Sequence, residues 1–187
     1  MHGLMMDTQL SISSILKHAE TVHKHSEIVS RNPEGGIFRY TYADAGRRAR
    51  QAANVLNALG VKQQDRVATL AWNSHRHYEL YFAVSGSGAI LHTVNPRLFP
   101  EQIIYILNHA EDEVLFLDIQ FVPLIEAVRD QLPKLKHIVL MVGKDSMPES
   151  KLDLLCYEEL IEQASKEYEW PSFDENLAAT LCYTSGT

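Results

Sequence analysis

The sequence has 187 residues, of which 45% are hydrophobic and 22% charged, values that suit one well-buried globular domain and exclude a disordered, collagenous or coiled-coil chain. Its longest apolar runs, such as Val114 to Leu117 and Ile138 to Val142, are far shorter than the ~20 residues a membrane-spanning helix requires. A formal charge of −7 argues against general nucleic-acid binding, which depends on a basic footprint, so an anionic ligand would have to be held locally.

Met1 to Asp7 lack the basic-then-apolar order of a secretory signal, and Cys156 and Cys182 form neither a Cys-x-x-Cys pair nor a disulfide framework. Both features lead to the expectation of a cytoplasmic protein with two plain thiols, buried or half-buried. From Thr8 to His25, Leu10, Ile12, Ile15, Leu16 and Ala19 recur at helical spacing. Glu27 to Arg31 and Ile37 to Thr41 read as strands, and the turn-rich Asn32-Pro33-Glu34-Gly35-Gly36 between them predicts a hairpin.

Thr41 then offers an N-cap hydroxyl with Asp44 at capping-box distance, and Ala45, Ala49, Ala52, Ala53, Leu56 and Leu59 give the following helix its apolar stripe. Gly60 is placed to end it. Arg47, Arg48, Arg50 and Gln51 lie opposite the stripe and read as a solvated face rather than a phosphate patch.

From Arg66 onward, apolar strands at Val67–Trp72, Ala89–Val94, Val114–Leu117 and Ile138–Val142 alternate with helices at His75–Val84, Glu101–Ala110 and Val122–Leu132. Ser74 and Pro100 occupy cap and first-turn positions. Strands that are nearly all apolar and alternate with helices predict an α/β fold, a mainly parallel sheet flanked by helices on both faces. Gly143 to Asp153 is a polar loop, Cys156 to Ala164 a helix, and Leu177 to Cys182 a final buried strand.

Gly86-Ser87-Gly88 lacks the context of a dinucleotide fingerprint, since it follows a helix and Leu91 stands where the third glycine belongs; a helix-to-strand turn explains it. Ser87 also lacks the outer glycines of a nucleophile elbow. The pairs His23/His25 and His75/His77 have no metal-site spacing and read as surface or half-buried histidines. The last five residues, Tyr183-Thr184-Ser185-Gly186-Thr187, follow a strand with glycine and hydroxyl residues, the composition a backbone needs to wrap a polyanion. Ligands of open parallel sheets bind beyond the carboxyl ends of strands, which is where this segment falls. It is not a Walker loop.

This ending resembles the opening of the Tyr-(Ser/Thr)-(Ser/Thr)-Gly-Thr-Thr-Gly-x-Pro-Lys-Gly signature of the AMP-forming acyl-CoA synthetase superfamily, which includes luciferases and nonribosomal adenylation domains. Gly88 to Leu98, with His92-Thr93-Val94-Asn95-Pro96-Arg97-Leu98, and Ile104 to Asp112 are similar to its fatty-acyl-CoA synthetase branch, as are Tyr40 to Asp44, Gly60-Val61 and Asp65-Arg66-Val67. The resemblance spans essentially the whole chain. It implies part of the large N-terminal AMP-binding domain of a medium- or long-chain fatty acid–CoA ligase, which forms acyl-AMP and pyrophosphate from a fatty acid and ATP and then passes the acyl group to CoA. It further implies that Thr184, Ser185, Gly186 and Thr187 hold the ATP phosphates, that Thr187 touches magnesium, and that the catalytic lysine, adenine contacts and acyl pocket fall beyond Thr187. Asn95-Pro96-Arg97 is expected to be structural, the chain alone inactive, and the Thr8–His25 segment a homodimer contact. Two other readings remain open on these residues: a ligase for an aryl, short-chain or amino acid, and a non-catalytic α/β binding or dimerisation module.

Overall fold

The structure is a computed structural model and describes residues 3–6 and 8–184. Helix α1 (Ile12–Val22) precedes a hairpin of β1 (Glu27–Arg31) and β2 (Ile37–Thr41), paired antiparallel. There follow α2 (Tyr42–Ala58), β3 (Arg66–Leu70), α3 (His75–Gly86), β4 (Ile90–Thr93), α4 (Pro100–Ala110), β5 (Val114–Leu117), α5 (Val122–Val128), β6 (His137–Leu140), β7 (Leu154–Cys156), α6 (Tyr157–Gln163) and β8 (Thr180–Leu181). Strands β3 to β8 form one sheet in the order β7-β6-β5-β3-β4-β8, every pair parallel.

Two cores explain why these strands are nearly all apolar. Val67, Leu91, Val114, Phe116 and Val139 face one side, against Leu16 of α1, Ala49, Ala52 and Leu56 of α2, Leu80 of α3 and Ile161 of α6. Their neighbours Ala68, Leu70, Leu115, Leu117, Ile138 and Leu140 face the other, against Ile103 and Leu107 of α4 and Ile125 of α5. Side chains alternate along a strand, so a strand covered on both faces is apolar at most positions, with Thr69 and His92 the buried polar exceptions in β3 and β4. The expected α/β fold is therefore the observed one.

The start of α2 follows its local sequence. The Thr41 hydroxyl accepts the Asp44 N–H at 3.2 Å, and the Asp44 carboxylate accepts the Thr41 N–H at 3.1 Å. These bonds satisfy two otherwise unpaired backbone donors, and the Thr41 hydroxyl, 2.7 Å from the same carboxylate, together with the Thr41 N–H lowers the Asp44 pKa. Thr41→Ala is expected to cost about 1 kcal/mol, read as a lowered urea midpoint, whereas Thr41→Ser should cost little. Gly88, at φ 86°, closes α3 in the left-handed region, with Ala89 N–H bonded to the Val84 carbonyl at 3.1 Å. The Gly86-Ser87-Gly88 turn is thus structural, as expected.

Several expectations are corrected. Helix α1 begins at Ile12 rather than Thr8, and Leu10, Ile15 and Val22 are exposed. The helix expected over Val122–Leu132 ends at Val128 and tightens into a 3-10 turn at Arg129–Gln131, because Pro133 disfavours helical geometry just before it. Strand β7, three residues between a loop and α6, was not anticipated. Strand β8 is not buried: it lies at the open edge of the sheet, Thr180 is exposed, Leu181 half-buried and Cys182 exposed. Cys156 is buried, with its thiol 3.4 Å from the Val142 carbonyl.

The supposed solvated face of α2 is also corrected. Arg48 donates to the buried carboxylate of Glu79 and to Glu158, Arg50 to Glu20 at 2.7 Å, and buried Gln51 to the Ile161 carbonyl at 2.6 Å. Arg47, half-buried and paired with Asp44 at 2.7 Å, is the most exposed of the four. Helix α6 and the 164–167 segment pack where water was expected. No helix among the described residues is long and apolar enough to cross a membrane.

Candidate functional site

Strands β4 and β8 run side by side with Leu91 opposite Thr180 and His92 opposite Leu181, so their carboxyl ends open at the same rim. Beyond β4, the Arg97 N–H donates to the Asn95 side chain at 3.0 Å and the Leu98 N–H to the Asn95 carbonyl at 3.2 Å. This turn delivers the chain to α4, where Pro100 fills a first-turn position and the Gln102 side chain accepts the Phe99 N–H at 3.1 Å. Asn95-Pro96-Arg97 is therefore a helix-entry device. Beyond β8, Tyr183 and Thr184 lie across from it. Between the two exits is an open cleft of about 700 Å³ lined by Asn95, Leu98, Glu101, Gln102, Tyr105, Ile106, Tyr183 and Thr184.

Beneath Tyr183 is a pair that the reading of the sequence did not single out. His92 Nδ1 and Asp112 Oδ2 are 2.6 Å apart, and both side chains are fully buried. Burial pushes the Asp112 pKa up, opposed by the hydrogen bond and charge of His92. The His92 ring lies 5.2 Å from the Tyr183 ring, and the Tyr183 hydroxyl is 2.6 Å from His109 Nδ1 on α4. Tyr105 stacks on His109 at 5.5 Å and closes this wall of the cleft. Burial, and then the Asp112 charge, raise the Tyr183 pKa, so the phenol keeps its proton beside the imidazole. The signal in the sequence was a lone polar ring in the otherwise apolar run Ile90-Leu91-His92.

The histidine pairs weighed for metal binding stand elsewhere. His23 and His25 are exposed, but His75 and His77 are buried rather than at the surface. His75 Nδ1 meets the Asn32 side chain at 3.0 Å and its ring stacks on Phe38 at 3.9 Å. His77 bridges the Thr69 hydroxyl and the Trp72 carbonyl, and burial lowers its pKa. Among the described residues no group of three or more His, Cys, Asp or Glu is placed to hold a metal ion.

Of the four residues expected to meet a nucleotide, Thr184 stands at the mouth of the cleft, while Ser185, Gly186 and Thr187 lie outside the described residues. The described part fits a phosphate ligand in two respects: Thr184 presents a hydroxyl beyond a strand's carboxyl end, and the cleft gives a ligand room. Glu101 on the opposite wall carries a negative charge, which disfavours an anion placed beside it.

A parallel sheet covered on both faces, with a hydroxyl-bearing segment and a cleft at the carboxyl ends of two neighbouring strands, defines an α/β ligand-binding domain of the open-sheet class. The chain belongs to the AMP-binding enzyme family, whose pattern it matches over residues 16–187. Over its full length it is 49% identical to a 3-methylmercaptopropionyl-CoA ligase of Ruegeria lacuscaerulensis, covering 35% of that protein. It is 47% identical, again over its full length, to a medium-chain-fatty-acid–CoA ligase of Ectopseudomonas oleovorans, covering 34% of it. The crystal structure of the anthranilate CoA ligase AuaEII with anthranoyl-AMP superposes with a TM-score of 0.83 at 26% identity, over 97% of this chain and 32% of that one. The chain spans about a third of the length of the curated relatives it matches.

Proposed function

We propose that this chain is part of an acyl-CoA ligase that activates a carboxylic acid with ATP and transfers the acyl group to CoA. The observation that carries the reading is Thr184 at the carboxyl end of β8, beside the cleft, in a chain whose relatives are CoA ligases by name. A carboxylate is a poor electrophile. Attack of its oxygen on the α-phosphorus of ATP breaks the bond to pyrophosphate and turns that oxygen into part of a good leaving group, AMP. The CoA thiolate then attacks the acyl carbon and AMP departs.

In this reading the Thr184 hydroxyl, together with the hydroxyls and N–H groups of Ser185, Gly186 and Thr187, donates to the phosphate oxygens, with glycine allowing close backbone approach. Magnesium, which usually arrives with substrate phosphates and retains waters, would find its protein ligand at Thr187. The acid is read as a medium- or long-chain fatty acid. A second reading, a short acid bearing a thioether, is favoured by the 49% identity to the Ruegeria ligase.

The test uses the full-length gene product and exchange of labelled pyrophosphate into ATP, with octanoate, palmitate, 3-methylmercaptopropionate and anthranilate offered in turn. Acid-dependent exchange is expected, fastest with octanoate or palmitate on the first reading and with 3-methylmercaptopropionate on the second. No exchange with any carboxylic acid would overturn both.

A further inference from the structure

Strand β8 is held to the sheet by only two register positions, and the ladder ends at Leu181. From Cys182 on, side chains rather than strand pairing must set the direction in which the chain leaves the rim. Tyr183 is the described residue equipped to do this. Its ring sits 5.2 Å from His92 beneath and 5.8 Å from His109 beside it, and its hydroxyl is 2.6 Å from His109 Nδ1. One histidine comes from β4 and the other from α4; the turn that follows β4 and α4 itself also wall the cleft.

The floor under this ring is costly to maintain. His92 and Asp112 are wholly buried, and His92 Nε2 and Asp112 Oδ1 have no hydrogen-bond partner among the described residues. An apolar pair of similar volume would fill that space without the desolvation cost of polar groups, so packing alone does not account for the dyad. It does provide a flat polar ring, fixed in orientation by its bond to Asp112, against which Tyr183 can lie.

We propose that Tyr183 is a positioning residue, held between His92 and His109, that aims the backbone at Thr184 and beyond toward the nucleotide phosphates. This rests on the adenylating reading above. The Tyr183–His109 hydrogen bond is the adjustable part of the arrangement, because it joins the exit of β8 to α4 without being part of either element's own ladder. Loss of the bond would leave the ring seated on His92 but free to shift, and the cost would fall on binding of the nucleotide phosphates in the proposed reaction.

The experiment compares full-length wild type with Tyr183→Phe, His109→Ala, His109→Gln and the double variant Tyr183→Phe/His109→Ala in acid-dependent pyrophosphate exchange. ATP and the acid are varied separately. Tyr183→Phe and His109→Ala are each expected to raise the KM for ATP roughly 3- to 10-fold, the scale of one lost hydrogen bond, with the KM for the acid unchanged. His109→Gln, which keeps an acceptor for the phenol, should restore much of the loss. The double variant should be no worse than the poorer single one, since both remove the same bond.

Wild-type ATP dependence in both single variants, additive losses in the double, or equal loss toward ATP and acid would overturn the proposal. If His109→Ala failed to fold, Tyr183→Phe, which removes one oxygen, would decide the matter alone. A wild type without acid-dependent exchange would overturn the adenylating reading and this proposal with it. An active wild type with unaffected variants would overturn this proposal only.

Discussion

Glu79→Ala is expected to destabilise the chain by about 3–5 kcal/mol, the range seen when one partner of a buried ion pair is removed. The Glu79 side chain, on α3, is completely buried and accepts from Arg48 Nε of α2 at 2.7 Å and from the Tyr157 hydroxyl of α6 at 2.8 Å. Arg48 is itself mostly buried and donates to Glu158 through both terminal nitrogens, at 3.0–3.1 Å. Glu158 also accepts from Arg76 Nε at 2.7 Å, and Arg76 reaches Glu34 in the hairpin turn at 2.6 Å. Burial opposes ionisation of Glu158, yet the neighbouring guanidinium groups outweigh it and hold its pKa at about 2.

Alanine at position 79 would leave the Arg48 cation with Glu158 alone and orphan the buried Tyr157 hydroxyl, whose pKa is already raised by burial and by the Glu79 charge. Helices α2 and α6 would lose their common partner on α3 at once. Glu79→Gln, which still offers an acceptor to Tyr157, should cost less. The double variant Arg48→Leu/Glu79→Leu should cost less than the sum of its singles, because neither charge is left alone. Urea denaturation measures all of these. A loss below about 1 kcal/mol for Glu79→Ala would show the pair to behave like an exposed one.

That network also shows where reading the sequence stops. The helical stripe of α2 was plain, because its apolar spacing is local, and so was the Thr41–Asp44 box, whose partners lie three residues apart. The fate of Arg48 depends on groups 31 and 110 residues away, and nothing in its own neighbourhood distinguishes a side chain facing water from one facing α3 and α6. The sheet was legible because two-sided burial leaves an apolar run at every central strand. Strand β7 has three residues, too few for periodicity to register, whereas β8 falls inside the strand expected over Leu177–Cys182 but is shorter and lies at the sheet edge. At the site, Tyr183 and Thr184 could be picked out by their place after a strand. The His92–Asp112 pair, formed across 20 residues, required the parallel register of β4 and the end of α4.

Stability at the rim of the sheet is expected to fall as pH rises from 4 to 7, through Asp118. This residue follows β5, and its Oδ2 accepts the Trp72 N–H at 2.7 Å just beyond β3, joining the carboxyl ends of two central strands. Its Oδ1 is buried with no partner among the described residues. Burial drives the pKa from the ordinary 3.8 up to about 6, with the Trp72 N–H opposing and the Glu34 charge adding to the rise. The folded state therefore holds the Asp118 proton more tightly than the unfolded state does. That contribution is fully present below about pH 4, the unfolded value, and is lost as pH climbs through about 6. At roughly 1.4 kcal/mol per unit, the loss is on the order of 2–3 kcal/mol. Glu158 and Asp44, whose pKa values are lowered, contribute with the opposite sign, so the measurement is a comparison with Asp118→Asn, which keeps an acceptor for Trp72 but does not titrate. Urea midpoints taken across pH 4 to 7 should show the wild type losing ground to the variant. Parallel curves would mean that water reaches Asp118 and that its carboxylate is not confined. The direction matters for the cleft, because β3 adjoins β4, and a charged Asp118 would loosen the rim from which both the Asn95 turn and Tyr183 leave the sheet.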